Sequence, residues 1–375
     1  MNKTGLYIHI PFCHKICSYC DFVKRVSTID TIEKYIDALI KEIELYHEKG
    51  FDFSKIETIY IGGGTPSILN CTNFQKLFDK IFNYVQKNKI QEFTVEFNPE
   101  DLNNELIDLL VSYNVNRISI GVQTFNEKLL KLLNRSFDIE LFFKRFEYLK
   151  TKLNNINIDL MYAIPNQTLD DLEETVLKVK ELKPTHLSLY SLILEPNTVF
   201  NYLLKEKKIE LCKEELELQM VDKINKLLFP IFNKYEVSNY CLKNYESKHN
   251  LIYWQNNQYL GIGLSSASYL EKYRYNNTSS LKEYFERVNA GELPIQNIEE
   301  LSIEDEKKYH IILGFRLVEG INLDEYCQRY KSDIFMDFPK LIEFVNEGYM
   351  EISSKRIFIN QKYFYVMNHL LEQLI

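Results

Sequence analysis

Pro11-Phe-Cys13-His-Lys-Ile-Cys17-Ser-Tyr-Cys20 is the stretch of this sequence that decides its fold. It follows directly on Leu6-Tyr-Ile-His-Ile10, a short apolar run that reads as a strand, so the three cysteines lie in the loop after the first strand. Three thiolates from one loop can hold three irons of a [4Fe–4S] cube, whose complete ligation takes four cysteines. The fourth iron is then open to a ligand that is not protein. An open site is of no use for simple electron transfer but suits a cluster that must bind and reduce a small molecule. Structural zinc wants four ligands, usually in two separated pairs. His14 is the candidate for a fourth, crowded by its neighbour Cys13. The remaining four of the seven cysteines, Cys71, Cys212, Cys241 and Cys327, are scattered and read as small buried or partly buried residues.

Outward from this loop, short β-rich runs alternate with amphipathic stretches. Strands are expected over 6–10, 58–61, 93–97, 117–122, 158–162 and 187–192. Between the first two lies a helix, with Asp30 as its cap and Glu33 as capping-box partner. Ile32, Tyr35, Ile36, Leu39, Ile40 and Ile43 mark its apolar face, and Gly50 ends it. Further helices are expected near 72–87, 101–112, 126–133, 139–152 and 168–180. This rhythm implies a parallel sheet with helices outside it. Six units are too few for a complete eight-stranded barrel, and periodicity alone leaves a doubly wound open sheet in play. A barrel-like curve is favoured because every candidate site falls at or just after the C-terminal end of a strand.

Beyond Pro196 the rhythm breaks. A charged helical stretch over 205–228 precedes a strand-like 235–239 and an aromatic segment over 249–269. Helices over 303–315 and near 336–347 lead into 349–359, which alternates like a hairpin around Ser353-Ser-Lys355, and a final helix follows. The expected fold is α/β: a partial (β/α)6 barrel over 1–196, an α+β extension over 197–300 and a small, winged-helix-like domain over 301–375.

The net charge of −8 and the lack of any basic run argue against a nucleic-acid partner. No apolar run approaches the roughly 18 residues that span a bilayer. The run at 5–10 ends at Pro11 and does not read as a secretory signal, so the cytoplasm is expected, where a disulfide is disfavoured.

Other motifs sit at strand ends. Gly62-Gly63-Gly64-Thr65-Pro66-Ser67 follows the second strand; its glycines let the backbone approach a ligand and its N–H groups can bind a carboxylate. A tight strand-to-helix turn is the plainer reading. Glu96, Gln123 and Asp159 interrupt apolar strands, and Arg135 follows the fourth. Buried carboxylates need partners, so pairing of Glu96 or Asp159 with Arg135 stands beside a ligand-binding role. His249-Asn-Leu-Ile-Tyr-Trp254 is either a satisfied histidine beside a core Tyr–Trp pair or an imidazole available to haem iron.

Cys-x3-Cys-x2-Cys after a first strand, with Tyr19 before the last cysteine, resembles the signature of the radical S-adenosylmethionine (SAM) superfamily. In that superfamily the open iron chelates the amino and carboxylate groups of SAM, whose reductive cleavage gives a 5′-deoxyadenosyl radical. The succession of motifs resembles the coproporphyrinogen III dehydrogenase-like branch, and within it the HemW haem chaperones. The likeness continues through Leu187–Leu192, Tyr235–Asn239 and Leu313–Leu317. It implies a [4Fe–4S] cluster on Cys13, Cys17 and Cys20, and a SAM site lined by Tyr7, Gly63, Gly64, Thr65, Glu96, Gln123, Arg135 and Asp159. It further implies haem as cargo, with His249 in the HNxxYW haem-binding element. The partners implied are haem-requiring proteins, including membrane-bound respiratory enzymes, and a homodimer is left open. Phe22 stands where the oxidase branch carries an extra cysteine, and the oxidase's N-terminal extension is missing, which sets oxidative decarboxylation of coproporphyrinogen III second. A radical SAM enzyme with another substrate is the third reading. Two histidines of the relatives are absent: Phe137 stands at one position and Ala267 at the other.

Overall fold

A computed structural model describes residues 3–375; Met1 and Asn2, which the expected first unit includes, lie outside the described residues. The six expected units are present: β1 (Thr4–Ile10), α1 (Ile29–Glu48), β2 (Ile56–Gly63), α2 (Cys71–Phe82), β3 (Glu92–Phe97), α3 (Asn104–Ser112), β4 (Arg117–Gln123), α4 (Glu127–Leu132), α5 (Ile139–Lys152), β5 (Asn155–Tyr162), α6 (Leu169–Leu182) and β6 (His186–Ser191). Each strand pairs in parallel with the next, from β1 through β6. That order removes the doubly wound alternative. A doubly wound sheet reverses its strand order at a switch point, whereas sequential right-handed crossovers put every helix on one face and curl the sheet. The outer face of β1, Leu6, Ile8 and Ile10, is fully buried in one core with Tyr35, Ile36, Leu39 and Ile43 of α1.

The segment beyond β6 does not build a sheet of its own. It forms α7 (Val199–Lys205), α8 (Glu214–Leu228), β7 (Asn233–Lys234), β8 (Asn239–Cys241), α9 (Lys248–Trp254), β9 (Gln258–Ile262), β10 (Ala267–Leu270), β11 (Tyr273–Asn277), α10 (Leu281–Asn289) and β12 (Ile295–Glu300). β9 pairs in parallel with β1, Leu6 opposite Leu260. The result is one 12-stranded mixed sheet, ordered β12-β11-β10-β9-β1-β2-β3-β4-β5-β6-β8-β7, and its ends do not close.

Three local expectations need correction. Thr28, not Asp30, caps α1, accepting from Thr31 N at 3.4 Å; Asp30 lies in the first turn, where its charge favours the helix dipole. The charged stretch over 205–228 is helical only from Glu214, as α8; α7 ends at Lys205. The strand expected over 235–239 is largely the turn between β7 and β8. The aromatic segment over 249–269 holds α9, β9 and most of β10.

The last part of the chain forms α11 (Ile303–Gly314), β13 (Ile321–Asn322), α12 (Leu323–Tyr330), α13 (Ile334–Asp337), α14 (Lys340–Asn346), β14 (Met350–Ser353), β15 (Arg356–Ile359) and α15 (Met367–Glu372). Phe315, Tyr326, Leu341, Phe344 and Ile357 belong to a core separate from that of the sheet. β14 and β15 form the expected hairpin, to which β13 adds a third strand. No helix among the described residues is long and apolar enough to cross a membrane.

Glu42 ties α1 to the later strands. Its carboxyl is fully buried and accepts from Gly263 N at 2.9 Å, Asn277 Nδ2 at 2.6 Å and Tyr284 OH at 2.5 Å. Burial raises its pKa from 4.5 to about 7, against the opposing pull of those three donors. A carboxyl whose pKa is higher folded than unfolded stabilises fully below its unfolded value, and the contribution is lost as pH rises through the folded value. Urea unfolding should therefore show a Glu42-dependent loss of at most about 3 kcal/mol between roughly pH 4.5 and 7. Glu42→Gln should flatten that part of the profile; the same slope in both proteins would rule the assignment out.

Candidate functional site

The cysteine loop is built to hold its shape. Cys13 N donates to Arg25 O at 3.0 Å and Arg25 N to Pro11 O at 2.7 Å, pinning the two ends of the loop together. Ser18 N donates to Leu133 O at 3.1 Å, and Asn134 Nδ2 to Ile16 O at 2.8 Å, so the middle of the loop rests on the turn after α4. Cys13, Cys17 and Cys20 all line one cavity of about 490 Å³ at the C-terminal ends of the barrel strands. Burial pushes the Cys13 thiol up to about 11 and raises Cys20 as well, so a bound metal's charge is needed to hold them as thiolates. Arg135 lies behind the loop, Nη1 at 3.4 Å from Cys17 Sγ, and adds positive charge there. His14 is occupied by Asp101, 3.1 Å away, and does not join the cysteines. Among the described residues no three His, Cys, Asp or Glu side chains converge as on a single metal ion. Three thiols spread around one cavity suit a multi-iron cube better than a mononuclear site.

The opposite wall comes from β2–β5. Gly64 N donates to Ile10 O and Thr65 N to Phe12 O, both at 2.8 Å, so the glycine turn runs alongside the entry to the cysteine loop. No Cβ fits there: at Gly64 it would lie 2.8 Å from Phe12 O and 3.0 Å from Cys13 Sγ. Gly63 has φ +118°, and a Cβ would fall 2.5 Å from the His9 ring. Glu96 accepts from Gly63 N at 3.0 Å and from Tyr60 OH at 2.6 Å. Burial raises the Glu96 pKa to about 7; the Tyr60 bond opposes that rise and nearby Asp159 adds to it. Asp159, raised by burial, accepts from Asn157 Nδ2 at 2.7 Å and Ser119 Oγ at 3.1 Å. Gln123 ends β4 with φ +68° and lines the same cavity.

Seven of the eight residues expected around SAM thus face one cavity with the cysteines: Gly63, Gly64, Thr65, Glu96, Gln123, Arg135 and Asp159. Tyr7 does not line it. Its hydroxyl is turned to His9 Nδ1 at 2.9 Å and its ring stacks on Tyr60, 6.2 Å between centroids. The pairing of Arg135 with Glu96 or Asp159 is not realised either: Arg135 Nη2 donates to Asn98 Oδ1 at 2.8 Å and Gly121 O at 2.7 Å. The buried cation whose charge reaches Glu96 and Asp159 is Arg117.

His249 departs furthest from expectation. Glu92, at the start of β3, accepts from Ser247 Oγ, Lys248 N and His249 N at 3.2, 2.9 and 3.0 Å, seating α9 beneath the barrel. The imidazole is 0% exposed. Its Nδ1 is 2.7 Å from Thr58 Oγ1 and its Nε2 2.8 Å from Tyr253 OH. Burial, aided by Arg117, lowers its pKa to about 3, so the ring is neutral. An axial haem ligand needs an accessible nitrogen, and neither is free. The satisfied core histidine is what the structure contains, at the end of the barrel away from the cysteine loop.

The Radical SAM superfamily profile matches residues 7–179. The heme chaperone HemW of Lactococcus lactis subsp. lactis (strain IL1403) is 37% identical over 377 residues, spanning 100% of this chain and 98% of that protein. This chain belongs to the HemW family. The heme chaperone HemW of Bacillus subtilis (strain 168) is 34% identical over 361 residues, covering 95% of both chains. Among solved structures, coproporphyrinogen III oxidase (HemN) from Escherichia coli superposes with a TM-score of 0.85 over 99% of this chain and 89% of that one. At 22% identity, that likeness establishes the fold: a radical SAM partial barrel with its extension. Membership in the superfamily implies a [4Fe–4S] cluster and SAM.

Several residues of this HemW-family site escape a reading by motif. Tyr60, Asn98 and Tyr190 line the cavity. Asn98 links Thr65, to which it donates at 3.2 Å, with Arg135. Its place two residues after Glu96 was the available signal. Phe137 packs on Phe142 at 5.6 Å and Phe125 at 6.3 Å. Ala267 is exposed at the start of β10.

Proposed function

We propose that this chain is a haem chaperone: it binds haem and delivers it to haem-requiring proteins of the cytoplasm and of membrane-bound respiratory enzymes. The observation that carries this reading is the full-length match to heme chaperone HemW, 37% identical across 100% of the chain. Cys13, Cys17 and Cys20 would hold a [4Fe–4S] cluster through three irons. SAM would be held in the cavity beside them by Gly63, Gly64, Thr65, Glu96, Gln123, Arg135 and Asp159, the Glu96 carboxyl being suited to an ammonium group. When bound, the cluster supplies an electron that can cleave the SAM sulfonium bond. The chain's own part is to fix the glycine turn against the cysteine loop and to keep a partly protonated Glu96 where a cation would hold it ionised. Residues 1–196 would carry this site, 197–300 close the far end of the barrel, and 301–375 form a small domain packed on it.

Haem titration of the anaerobically purified full chain tests the reading. The wild type should bind haem, read from the Soret band, and pass it to a haem-free respiratory enzyme. His249→Ala should keep the haem stoichiometry of the wild type, because both ring nitrogens are engaged by protein. Failure of the wild type to bind haem would remove the chaperone assignment. Loss of haem in His249→Ala alone would mean that α9 opens to expose the imidazole.

A further inference from the structure

The HNxxYW segment lies at the end of the barrel away from the cysteine loop, yet it is joined to the glycine turn by a short chain of contacts. The His249 ring packs on the Tyr60 ring, 5.2 Å between centroids and 31° between planes. Tyr60 OH donates to Glu96 Oε1 at 2.6 Å, and the other oxygen of Glu96 accepts from Gly63 N at 3.0 Å. The fit at the turn is close: a Cβ on Gly62 would come 2.8 Å from Tyr60 Cε1 and 2.9 Å from the Glu96 carboxyl. Glu92 and Glu96 are on the same strand, so β3 meets α9 at one end and the turn at the other. We infer that His249 and Tyr60 are positioning residues for SAM, and that the HNxxYW helix acts as a plug setting the Glu96 carboxylate and the Gly62–Gly64 turn.

The chemistry favours this role. A carboxylate buried at the bottom of a cavity needs fixed donors to point at a ligand's ammonium group. Glu96 has two, Tyr60 OH and Gly63 N, and Tyr60 is braced by His249 on one side and Tyr7 on another. Neutral His249 can brace the ring without adding charge that would compete for the carboxylate. Asp159 of β5 and Arg117 of β4 are the charged groups that reach Glu96, with Tyr7, Tyr190 and Tyr253 disposed around it. Tyr60 OH is the neutral donor that lowers the Glu96 pKa.

The inference rests on the SAM site proposed above, and the test separates the two. SAM binding to the reconstituted full chain is followed by the change it makes in the EPR signal of the reduced cluster. Tyr60→Phe keeps the ring and removes only the hydroxyl; His249→Gln removes the ring. Tyr60→Phe should weaken SAM by about tenfold, the loss of one hydrogen bond to a charged group, and His249→Gln by about threefold, the loss of the ring packed on Tyr60. Iron content and haem stoichiometry should stay unchanged. The pH profile of SAM binding should move to higher pH in Tyr60→Phe, since Glu96 then loses a donor that favours its ionised form. Tyr326→Phe, which removes a hydroxyl 2.8 Å from Asp337 Oδ2 in the separate C-terminal core, serves as the structural control and should bind SAM normally. Wild-type SAM affinity in both Tyr60→Phe and His249→Gln overturns the inference while leaving the SAM site standing. No EPR change in the wild type removes the site and the inference together.

Discussion

Alanine at Cys13, Cys17 or Cys20 should take the anaerobically reconstituted protein from about four irons per chain to almost none, with loss of its brown colour. Each thiol has the same standing. All three line one cavity, the loop carrying them is fixed by backbone bonds that need no metal, and two protein ligands do not retain an exposed cube. The apo-proteins should stay folded, because the contacts of Cys13 N with Arg25 and of Ser18 N with Leu133 involve backbone atoms that the substitutions leave in place. Alanine at Cys71, Cys212, Cys241 or Cys327 should leave the iron content alone, since none of these lines the cavity. Iron and acid-labile sulfide analysis of all seven variants decides it. One scattered cysteine proving essential for iron would break the ligand assignment.

Gly63→Val should abolish the effect of saturating SAM on the cluster's EPR spectrum and destabilise the fold by about 3 kcal/mol or more. Two causes act together. The backbone at Gly63 has φ +118°, which a β-branched residue avoids, and the new Cβ would fall 2.5 Å from the His9 ring. His9 cannot simply move aside: its Nε2 is bonded to Val23 O at 2.9 Å, inside the segment closing the cysteine loop, and its Nδ1 to Tyr7 OH at 2.9 Å. The substitution therefore disturbs both walls of the cavity. Gly291→Ala is the control, a glycine at φ +80° with nothing within 4 Å of a Cβ, which should cost about 1 kcal/mol and leave SAM binding intact. A normal SAM-induced spectrum in folded Gly63→Val would show that this turn does not meet the ligand.

Much of this site was legible because its signals are local. A cysteine triad on one loop, three glycines after a strand and polar residues at strand ends carry their meaning within a few positions, and the parallel sheet places all strand ends at one rim. The helical face of α1 was readable from its 3.6 period, while its cap was not, because Thr28 and Asp30 both satisfy the same capping chemistry. β9 to β12 were hidden by their shortness and by mixed exposure: all but the first two residues of β12 are exposed, which leaves no period of two to read.

By itself, the sequence determined the six repeated units, the cysteine loop, the glycine turn and the family to which these belong. Only the tertiary structure decided which way the later segment folds back. β9 slots beside β1 and draws α9 under the barrel, so that His249, already bonded to Tyr253 of its own helix, meets Thr58 and Tyr60 across the interior. An isolated imidazole beside aromatic residues is equally suited to bind iron or to satisfy core hydroxyls. What separates the two is whether a nitrogen is left free. That depends on partners distant in sequence, such as Thr58, 191 positions away, which no local pattern can supply.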